Sequence, residues 1–312
     1  MAAAIKVRGL RKRYGELEAV RGIDLEVAEG QCFALLGPNG AGKTTTVEIL
    51  EGYRERTDGD VEVLGYDPEK GDRSFRERIG IVLQSSGIYR ELTVAEVLQL
   101  FAGYYPHPRG VDEVIGLVGL AEKRNARIRT LSGGQQRRLD LALGIIGDPD
   151  LIFLDEPTTG FDPSARRRSW ELIDNLRSLG KTILLTTHYM DEAQNLADEV
   201  AVIAAGRIVA HGSPESLGGR DVGEARITFR LPDSTSPTDL PPGLPDAVRV
   251  DGDSVSIATK TPTRLLNVLT DWALARGEEL GALTVTRPSL EDIYLELTDT
   301  GERHAVGVTT DE

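Results

Sequence analysis

Gly37-Pro38-Asn39-Gly40-Ala41-Gly42-Lys43-Thr44 is the stretch that decides the fold of this 312-residue chain. It matches the phosphate-loop pattern G-x-x-x-x-G-K-[ST] at every fixed position. The apolar run at 32–36 before it predicts a buried strand, and residues 44–50 after it predict a helix. A glycine-rich turn after any buried strand is the ordinary alternative. The strand–loop–helix context argues against it.

The composition of this loop predicts that it binds the phosphates of a nucleotide. Glycines let backbone N–H groups turn toward a bound anion, and the N-terminus of the following helix adds partial positive charge. Lys43 is expected to reach the β- and γ-phosphates, and the Thr44 hydroxyl to ligate Mg²⁺. The predicted nucleotide-binding residues of the loop are Gly37, Pro38, Asn39, Gly40, Ala41, Gly42, Lys43, Thr44 and Thr45.

A second predicted strand ends in two acidic residues. Four apolar residues at 151–154 come directly before Asp155 and Glu156. Asp155 suits the coordination shell of Mg²⁺, directly or through water. Glu156 is placed to polarise an attacking water molecule. Acid pairs are common at the ends of strands, and the phosphate loop elsewhere in the chain makes this prediction specific.

From about residue 4 to 217 the chain resembles the ATP-binding-cassette (ABC) family. The string Leu131-Ser132-Gly133-Gly134-Gln135-Gln136-Arg137 resembles that family's signature, which contacts the γ-phosphate held by a partner subunit. A serine hydroxyl and open glycine amides at a helix N-terminus do form an anion site. The chain carries one phosphate loop and one signature string, so the resemblance implies a homodimer that closes around two Mg-ATP. The residues implied are Ser132, Gly133, Gly134 and Gln135.

Four further positions resemble functional residues of the same family. Gln84 resembles the glutamine loop, which touches Mg²⁺, water and the membrane partner. His188 follows an apolar strand at 182–187 and resembles the switch histidine that reads the γ-phosphate. Asp162 ends Gly160-Phe161-Asp162, which resembles the loop that couples the two sites, although the family more often has Leu at the middle position. Tyr14 lies where the family stacks an aromatic on adenine; a lone tyrosine is otherwise a half-buried surface residue.

The resemblance thus implies a complete set of roles. The implied catalytic residues are Glu156, His188, Lys43 and Gln84. The implied Mg²⁺ ligands are Thr44, Gln84 and Asp155.

The pattern of strands and helices predicts an α/β fold of the ABC ATPase type. It comprises a RecA-like parallel αβα core, an antiparallel β subdomain and a helical subdomain at about 88–145, followed by a small C-terminal α+β domain. We expect a nucleotide-binding domain at 1–218, an accessory domain at 219–299 with a short final helix at 288–297, and a disordered tail at 300–312.

The end of the accessory domain carries a second resemblance. Leu290-Glu291-Asp292-Ile293-Tyr294 resembles the ending of export ATPases of the daunorubicin-resistance type, which work with separate ABC-2 permeases. A domain that only covers surface is the ordinary alternative.

Composition narrows the classes of function. No apolar stretch approaches the roughly 20 residues that a membrane span needs, and no signal peptide is expected at the N-terminus. The net charge of −14 argues against a general nucleic-acid binder. Cys32 is the single cysteine, so no disulfide framework is expected within the chain. These features agree with a soluble cytosolic ATPase, and the family resemblance implies a subunit that a permease holds at the cytoplasmic face of the membrane.

The leading interpretation is the ATP-hydrolysing subunit of an ABC exporter for drug, antibiotic or lipid-like compounds. An ABC importer ATPase stays a close alternative. Non-transport cassettes fit less well, because those in translation factors occur as two cassettes in one chain and those in DNA-repair machines are split by a long coiled coil. A GTPase would need Asn-Lys-x-Asp, and no Asn here precedes Lys; a small-molecule kinase would not need the signature string.

Overall fold

The computed structural model describes residues 2–83, 90–217, 224–231, 239–242, 244 and 248–286. The chain divides into two compact units, and the division falls between Pro214 and Glu215. Gln84, the helix expected at 288–297 and the tail expected at 300–312 lie outside the described residues.

In the described part of the chain, strands and helices are mixed along the sequence of both units. The strands are β1 (Ala3–Tyr14), β2 (Leu17–Ala28), β3 (Cys32–Leu36), β4 (Asp58–Val63), β5 (Ile79–Val82), β6 (Leu151–Asp155), β7 (Thr182–Thr187), β8 (Glu199–Ala204), β9 (Arg207–Gly212), β10 (Ala225–Arg230), β11 (Val248–Asp251), β12 (Ser254–Thr259) and β13 (Gly281–Thr286). The helices are α1 (Lys43–Leu50), α2 (Arg73–Arg78), α3 (Val94–Ala102), α4 (Val111–Leu117), α5 (Gly133–Ile145), α6 (Pro163–Ser178), α7 (Met190–Leu196) and α8 (Pro262–Ala275).

The core of the first unit is a six-stranded sheet in the order β5-β6-β7-β3-β8-β9. Every residue of β3 and of β7 is buried. Such continuous apolar strands are typical of a parallel sheet that is covered on both faces. The parallel core is confirmed for the first five strands in this order. The edge strand β9 runs antiparallel to β8, so the core is a mixed sheet, and the pattern of its half-exposed residues did not reveal that strand.

The parallel strands bring the predicted site loops to one edge of the sheet. β3, β6 and β7 are neighbours with matched register. Because the carboxyl ends of parallel strands meet at the same edge, the residues that follow them share one crevice, where ligands of α/β proteins bind.

The remaining parts of the first unit are an antiparallel sheet and a group of helices. β2, β1 and β4 form the predicted antiparallel sheet, in which β1 is the central strand. Helices α3, α4 and α5 form the predicted helical segment. α3 begins with a capping box in which Thr93 accepts a hydrogen bond from the N–H of Glu96.

The second unit is a four-stranded antiparallel sheet in the order β11-β12-β10-β13, with α8 on one face. Inward-facing side chains of β10 and β12 pack on Leu265 and Leu269 of α8. The tight turn between β11 and β12 places Gly252 at φ 61°, which glycine adopts without strain. The predicted α+β class of this unit is confirmed.

Candidate nucleotide-binding site

The phosphate loop, residues 37–44, is fixed by close approach of the backbone. A Cβ atom on Gly37 would clash with the carbonyl oxygen of Ile203 in β8. Gly42 has φ 107°, and a Cβ there would lie 2.7 Å from the carbonyl oxygen of Ala19 in β2. No other residue fits either position without a shift of the backbone. Close contacts with β8 and β2 therefore fix the conformation of the loop in the absence of a ligand.

Lys43 extends from the first turn of α1 back along this loop. Its Nζ donates hydrogen bonds to Gly37 O at 2.7 Å and to Pro38 O at 3.1 Å. Burial lowers the pKa of the ammonium, while the nearby carboxylates of Glu156 and Asp155 raise it. The lysine is thus held inside the loop and faces the acid pair.

The two acids lie at the end of β6, as predicted. Asp155 Oδ1 accepts a hydrogen bond from Thr186 Oγ1 at 2.6 Å, which fixes the carboxylate. Glu156 stands in the left-handed region at φ 46°, a conformation that costs a non-glycine residue free energy. Its N–H donates to Thr186 O at 3.2 Å, and Thr159 Oγ1 donates to its Oε2 at 3.0 Å. The carboxylate of Glu156 is therefore held by Thr159 in the loop that follows β6.

His188, directly after β7, lies beside Glu156. Its Nδ1 is 3.3 Å from Glu156 Oε1. The orientation does not make a hydrogen bond, and the buried Nδ1 has no such partner among the described residues. The imidazole packs on the ring of Tyr189 with 4.0 Å between centroids. The structure therefore brings Lys43, Asp155, Glu156 and His188 to one place.

The residues of this site are suited to bind a nucleotide together with Mg²⁺. Thr44 and Asp155 supply hydroxyl and carboxylate oxygens, which Mg²⁺ prefers, and Mg²⁺ completes its shell with phosphates and water. In the described ranges no group of three or more His, Cys, Asp or Glu side chains is arranged to hold a metal by itself. The donor set fits an ion that arrives with phosphates.

The signature string forms the N-terminus of α5. Ser132 Oγ accepts a hydrogen bond from Gln135 N at 3.3 Å, and Gln135 Oε1 accepts one from Ser132 N at 2.9 Å. This is a capping box. A Cβ on Gly133 or on Gly134 would meet nothing within 4 Å, so the packing of the chain does not require glycine at either position.

The contacts of two other predicted residues, Asp162 and Tyr14, are well defined. Asp162 caps α6, because its Oδ1 accepts hydrogen bonds from the N–H groups of Ser164 and Ala165, both at 2.9 Å. Tyr14, the last residue of β1, is 39% exposed. Lys12 Nζ lies 5.2 Å and Arg54 Cζ 5.4 Å from its ring centroid. An aromatic face flanked by cations is a suitable surface for a nucleotide.

Arg137, in the signature string, has a structural role that the sequence did not predict. Its guanidinium donates hydrogen bonds to Asp155 O at 3.0 Å, to Pro157 O at 3.1 Å and to Leu83 O. Burial lowers the pKa of this side chain. The arginine ties the signature helix to the carboxyl ends of β5 and β6. Its acceptors are backbone carbonyl groups, which have no sequence signature, so the sequence carries no signal for this role.

Comparison with known proteins identifies the family. The family model described as ABC transporter matches residues 20–159. The Nod factor export ATP-binding protein I of Ralstonia nicotianae is 38% identical over 300 residues, which cover 94% of this chain and 93% of that protein. The chain is a member of the ABC transporter ATPase family. The protein of the same description from Rhizobium sp. (strain N33) is 39% identical and covers 95% of the ABC ATPase described here.

The comparisons extend to the second unit and to solved structures. A model for the C-terminal domain of ABC transporter domain-containing proteins matches residues 225–289. A solved ATP-binding subunit of an ABC transporter is 26% identical, has a TM-score of 0.62 and covers 68% of this ABC ATPase and 91% of that chain. An ATP-binding cassette solved as a dimer with ADP and Pi has a TM-score of 0.60 at 24% identity, covers 67% of this chain and 98% of its own, and shares the fold.

Family membership confirms the predicted activity. The protein is an ATP hydrolase of the ABC transporter type, and its cofactors are ATP and Mg²⁺. No helix in the described part of the chain combines the length and the apolar character of a membrane span.

Proposed function

We propose that this ATPase is the energy-supplying subunit of an exporter, in which two copies close around two Mg-ATP beneath a separate ABC-2 permease. The signature string supports the closed dimer. Ser132 and Gly133 are exposed, and the glycines face open space. Glycine has no side chain that would obstruct the close approach of a bound phosphate to the backbone. Because none of the described residues makes that approach, we infer that the γ-phosphate bound by the partner copy does.

The residues at the end of the sheet suggest how hydrolysis proceeds. Lys43 and the loop amides bind the phosphates, while Thr44 and Asp155 hold the metal, which supplies charge neutralisation when bound. Glu156 orients the attacking water, and His188 contacts the γ-phosphate. We assign Tyr14 to adenine stacking, Asp162 to coupling between the two sites and Gln84 to contact with the permease. Closure is favoured because the signature contacts exist only in the closed pair.

The direction and the partner of transport rest on the relatives. The similar proteins from Ralstonia nicotianae and Rhizobium sp. are both named as export ATP-binding proteins, which favours export over import for this chain. The match of the second unit to a C-terminal domain of ABC proteins agrees with the resemblance to export ATPases that use ABC-2 permeases. We propose a drug, antibiotic or lipid-like compound as cargo and the cytoplasmic face of the membrane as location.

Complementation between two inactive variants tests the composite site. Lys43→Ala and Ser132→Arg each inactivate a homodimer. In the mixed heterodimer one site pairs an intact Lys43 with an intact Ser132, and the other site carries both lesions. We expect mixing to restore part of the ATPase activity. If the signature string serves the nucleotide of its own chain, mixing restores nothing.

Mixing would also restore nothing if hydrolysis required two intact sites. A crosslinking experiment distinguishes these two explanations. Asn39→Cys and Gly133→Cys are introduced on separate chains after Cys32→Ala. We expect an ATP-dependent disulfide between the two chains. A chain carrying both substitutions that crosslinks only within itself would contradict the dimer, because each copy would then hold a complete site.

A further inference from the structure

The first two turns of α6 contact the segment that carries His188. Arg166 N donates a backbone hydrogen bond to Asp162 O at 3.0 Å, so this arginine is bonded directly to the coupling loop, Gly160-Phe161-Asp162. Its Nη1 donates to Asp191 Oδ2 at 2.9 Å. The same guanidinium lies over the ring of Tyr189, with 4.2 Å between Cζ and the ring centroid. One side chain therefore holds both ends of the turn that leads into α7.

Tyr189 transmits this contact to the switch histidine. Its ring is 4.0 Å from the His188 ring, at an interplanar angle of 40°. The other edge of the imidazole faces Glu156, with 3.3 Å between Nδ1 and Oε1. The Tyr189 ring therefore lies against both the Arg166 guanidinium and the His188 imidazole, and Nδ1 has no hydrogen bond among the described residues that would fix the imidazole.

A buried acid joins the same two helices one turn further along. Glu192 of α7 is fully buried and accepts a hydrogen bond from Trp170 Nε1 of α6 at 3.4 Å. Burial raises the pKa of its carboxyl. Trp170 follows Arg166 by four residues and lies on the same face of α6. The two helices are thus joined by side-chain contacts from two successive turns of α6 to the first turn of α7.

We infer that Arg166 is a positioning residue for hydrolysis, which sets the His188 imidazole through the Tyr189 ring according to the position of the coupling loop. The inference rests on the proposed role of His188. When the partner copy moves the coupling loop, Asp162 carries the first turn of α6 and Arg166 with it. Tyr189 then shifts, and His188 turns relative to Glu156. The device makes hydrolysis at one site depend on the presence of the other copy.

The choice of arginine agrees with this role. A guanidinium is flat, stacks on an aromatic ring and still offers N–H groups to a carboxylate, whereas an ammonium is a point charge that does not stack. Arg167 and Arg168, the next residues of α6, are exposed, and Arg168 Nη1 donates to Ser164 Oγ on its own helix. They provide matched controls on the same turn.

Arg166→Lys is the first test, since it keeps the charge beside Asp191 and removes the stacked plane. We expect kcat of the full-length ATPase to fall about tenfold or more, because small misplacements of catalytic groups are costly. The affinity for ATP is expected to stay within about twofold and the melting temperature close to that of the native protein. Arg167→Lys should leave all three quantities unchanged. An unchanged kcat in Arg166→Lys would overturn this inference and leave the proposed function standing.

A double-substitution cycle shows whether Arg166 acts through His188. In a His188→Ala background, Arg166→Lys should lower kcat no further. Independent losses that multiply would assign Arg166 a structural role and overturn the inference. Tyr189→Leu should reproduce the loss of Arg166→Lys, while Tyr189→Phe, which keeps the ring, should retain kcat. If His188→Ala itself leaves turnover intact, the proposed role of His188 fails, and the inference fails with it.

Discussion

The phosphate loop and the signature string are both glycine-rich turns at the start of a helix, yet they use glycine differently. In the phosphate loop, Gly37 and Gly42 are required by the chain's own backbone, which approaches too closely for any side chain. In the signature string, Gly133 and Gly134 have ordinary helical conformations and open surroundings. Folding alone therefore explains the first pair of glycines and leaves the second pair unexplained.

This difference separates two kinds of binding site. The phosphate loop is completed by the fold, because strands on either side hold it in shape. The described part of the chain leaves the glycines of the signature string open, which agrees with the proposed contact to a nucleotide bound by a second copy. The stability of the two half-sites should accordingly respond in opposite ways to the same substitution.

The largest expected effect on stability is at Gly42. Gly42→Ala adds a methyl group 2.7 Å from Ala19 O at a residue with φ 107°. We expect the free energy of unfolding to fall by about 2–4 kcal/mol, through clash and backbone strain together. Urea denaturation measures this loss in the free energy of unfolding. Gly40→Ala is the control, because Gly40 has φ 81° and no close neighbour, so only the cost of strain applies. Equal losses at the two positions would show that the close approach is unimportant.

Glu51, at the end of the phosphate-loop helix α1, is expected to give the next largest effect. Burial, reinforced by Asp155 and Glu48, raises the pKa of this carboxyl to about 8 from 4.5. Between these values the folded protein binds more protons than the unfolded chain, so the free energy of unfolding falls as pH rises from about 4.5 and levels off above about 8. Glu51→Gln should remove this slope.

The size of the Glu51 effect follows from the same shift. At pH 8, Glu51→Gln should raise the free energy of unfolding by about 1–3 kcal/mol. Thermal unfolding in buffers from pH 5 to 8, without nucleotide, is the measurement. Glu48→Gln is the comparison: Glu48 is paired with Arg54 at 2.5 Å and only reinforces the effect of burial on Glu51, so its loss should give a smaller gain. Parallel pH profiles for native protein and Glu51→Gln would refute the assignment.

Ser132 has two separable tasks, and each has its own variant. Ser132→Ala removes the cap of α5 and should cost about 1 kcal/mol of unfolding free energy. Ser132→Asp keeps a capping oxygen and should retain that stability, but its negative charge should repel the phosphate and abolish ATPase activity. Denaturation and phosphate release are measured on the same preparations. Full activity in Ser132→Asp would remove this residue from the nucleotide site.

The smallest effect on stability is expected at Gly133. Gly133→Ala enters a helical position with open space around it, so the free energy of unfolding should change by no more than about 0.5 kcal/mol, in the favourable direction. ATPase activity should nevertheless fall, because the methyl group stands where the partner's phosphates are proposed to lie. A loss of stability as large as that of Gly42→Ala would erase the contrast between the two half-sites.

Much of the fold was predictable because the decisive signals are local. The apolar runs that became β3, β6 and β7 are continuous, and each is followed by a residue of distinct chemistry. Since parallel strands present their carboxyl ends at one edge, the meeting of Lys43, Asp155, Glu156 and His188 followed from order along the chain. Strand β9 escaped prediction because its residues are half-exposed and give no clear alternation.

Other features depend on contacts between distant elements and leave little trace in sequence. Arg137 reaches carbonyl oxygens after two different strands, and backbone acceptors have no sequence signature. The packing of Arg166 on Tyr189 likewise joins residues from α6 and from the turn before α7. The sequence shows which groups are available for chemistry, while their support appears only once the helices are packed.

The left-handed backbone at Glu156 has a consequence for the durability of the enzyme. At φ 46° glycine would sit with less strain, and a strained residue of this kind costs of the order of 1–3 kcal/mol. If Glu156 orients the attacking water as proposed, a variant chosen only for resistance to heat would tend to exchange this glutamate and become more stable but inactive. With that proposed role, thermostability and turnover are in direct conflict at position 156.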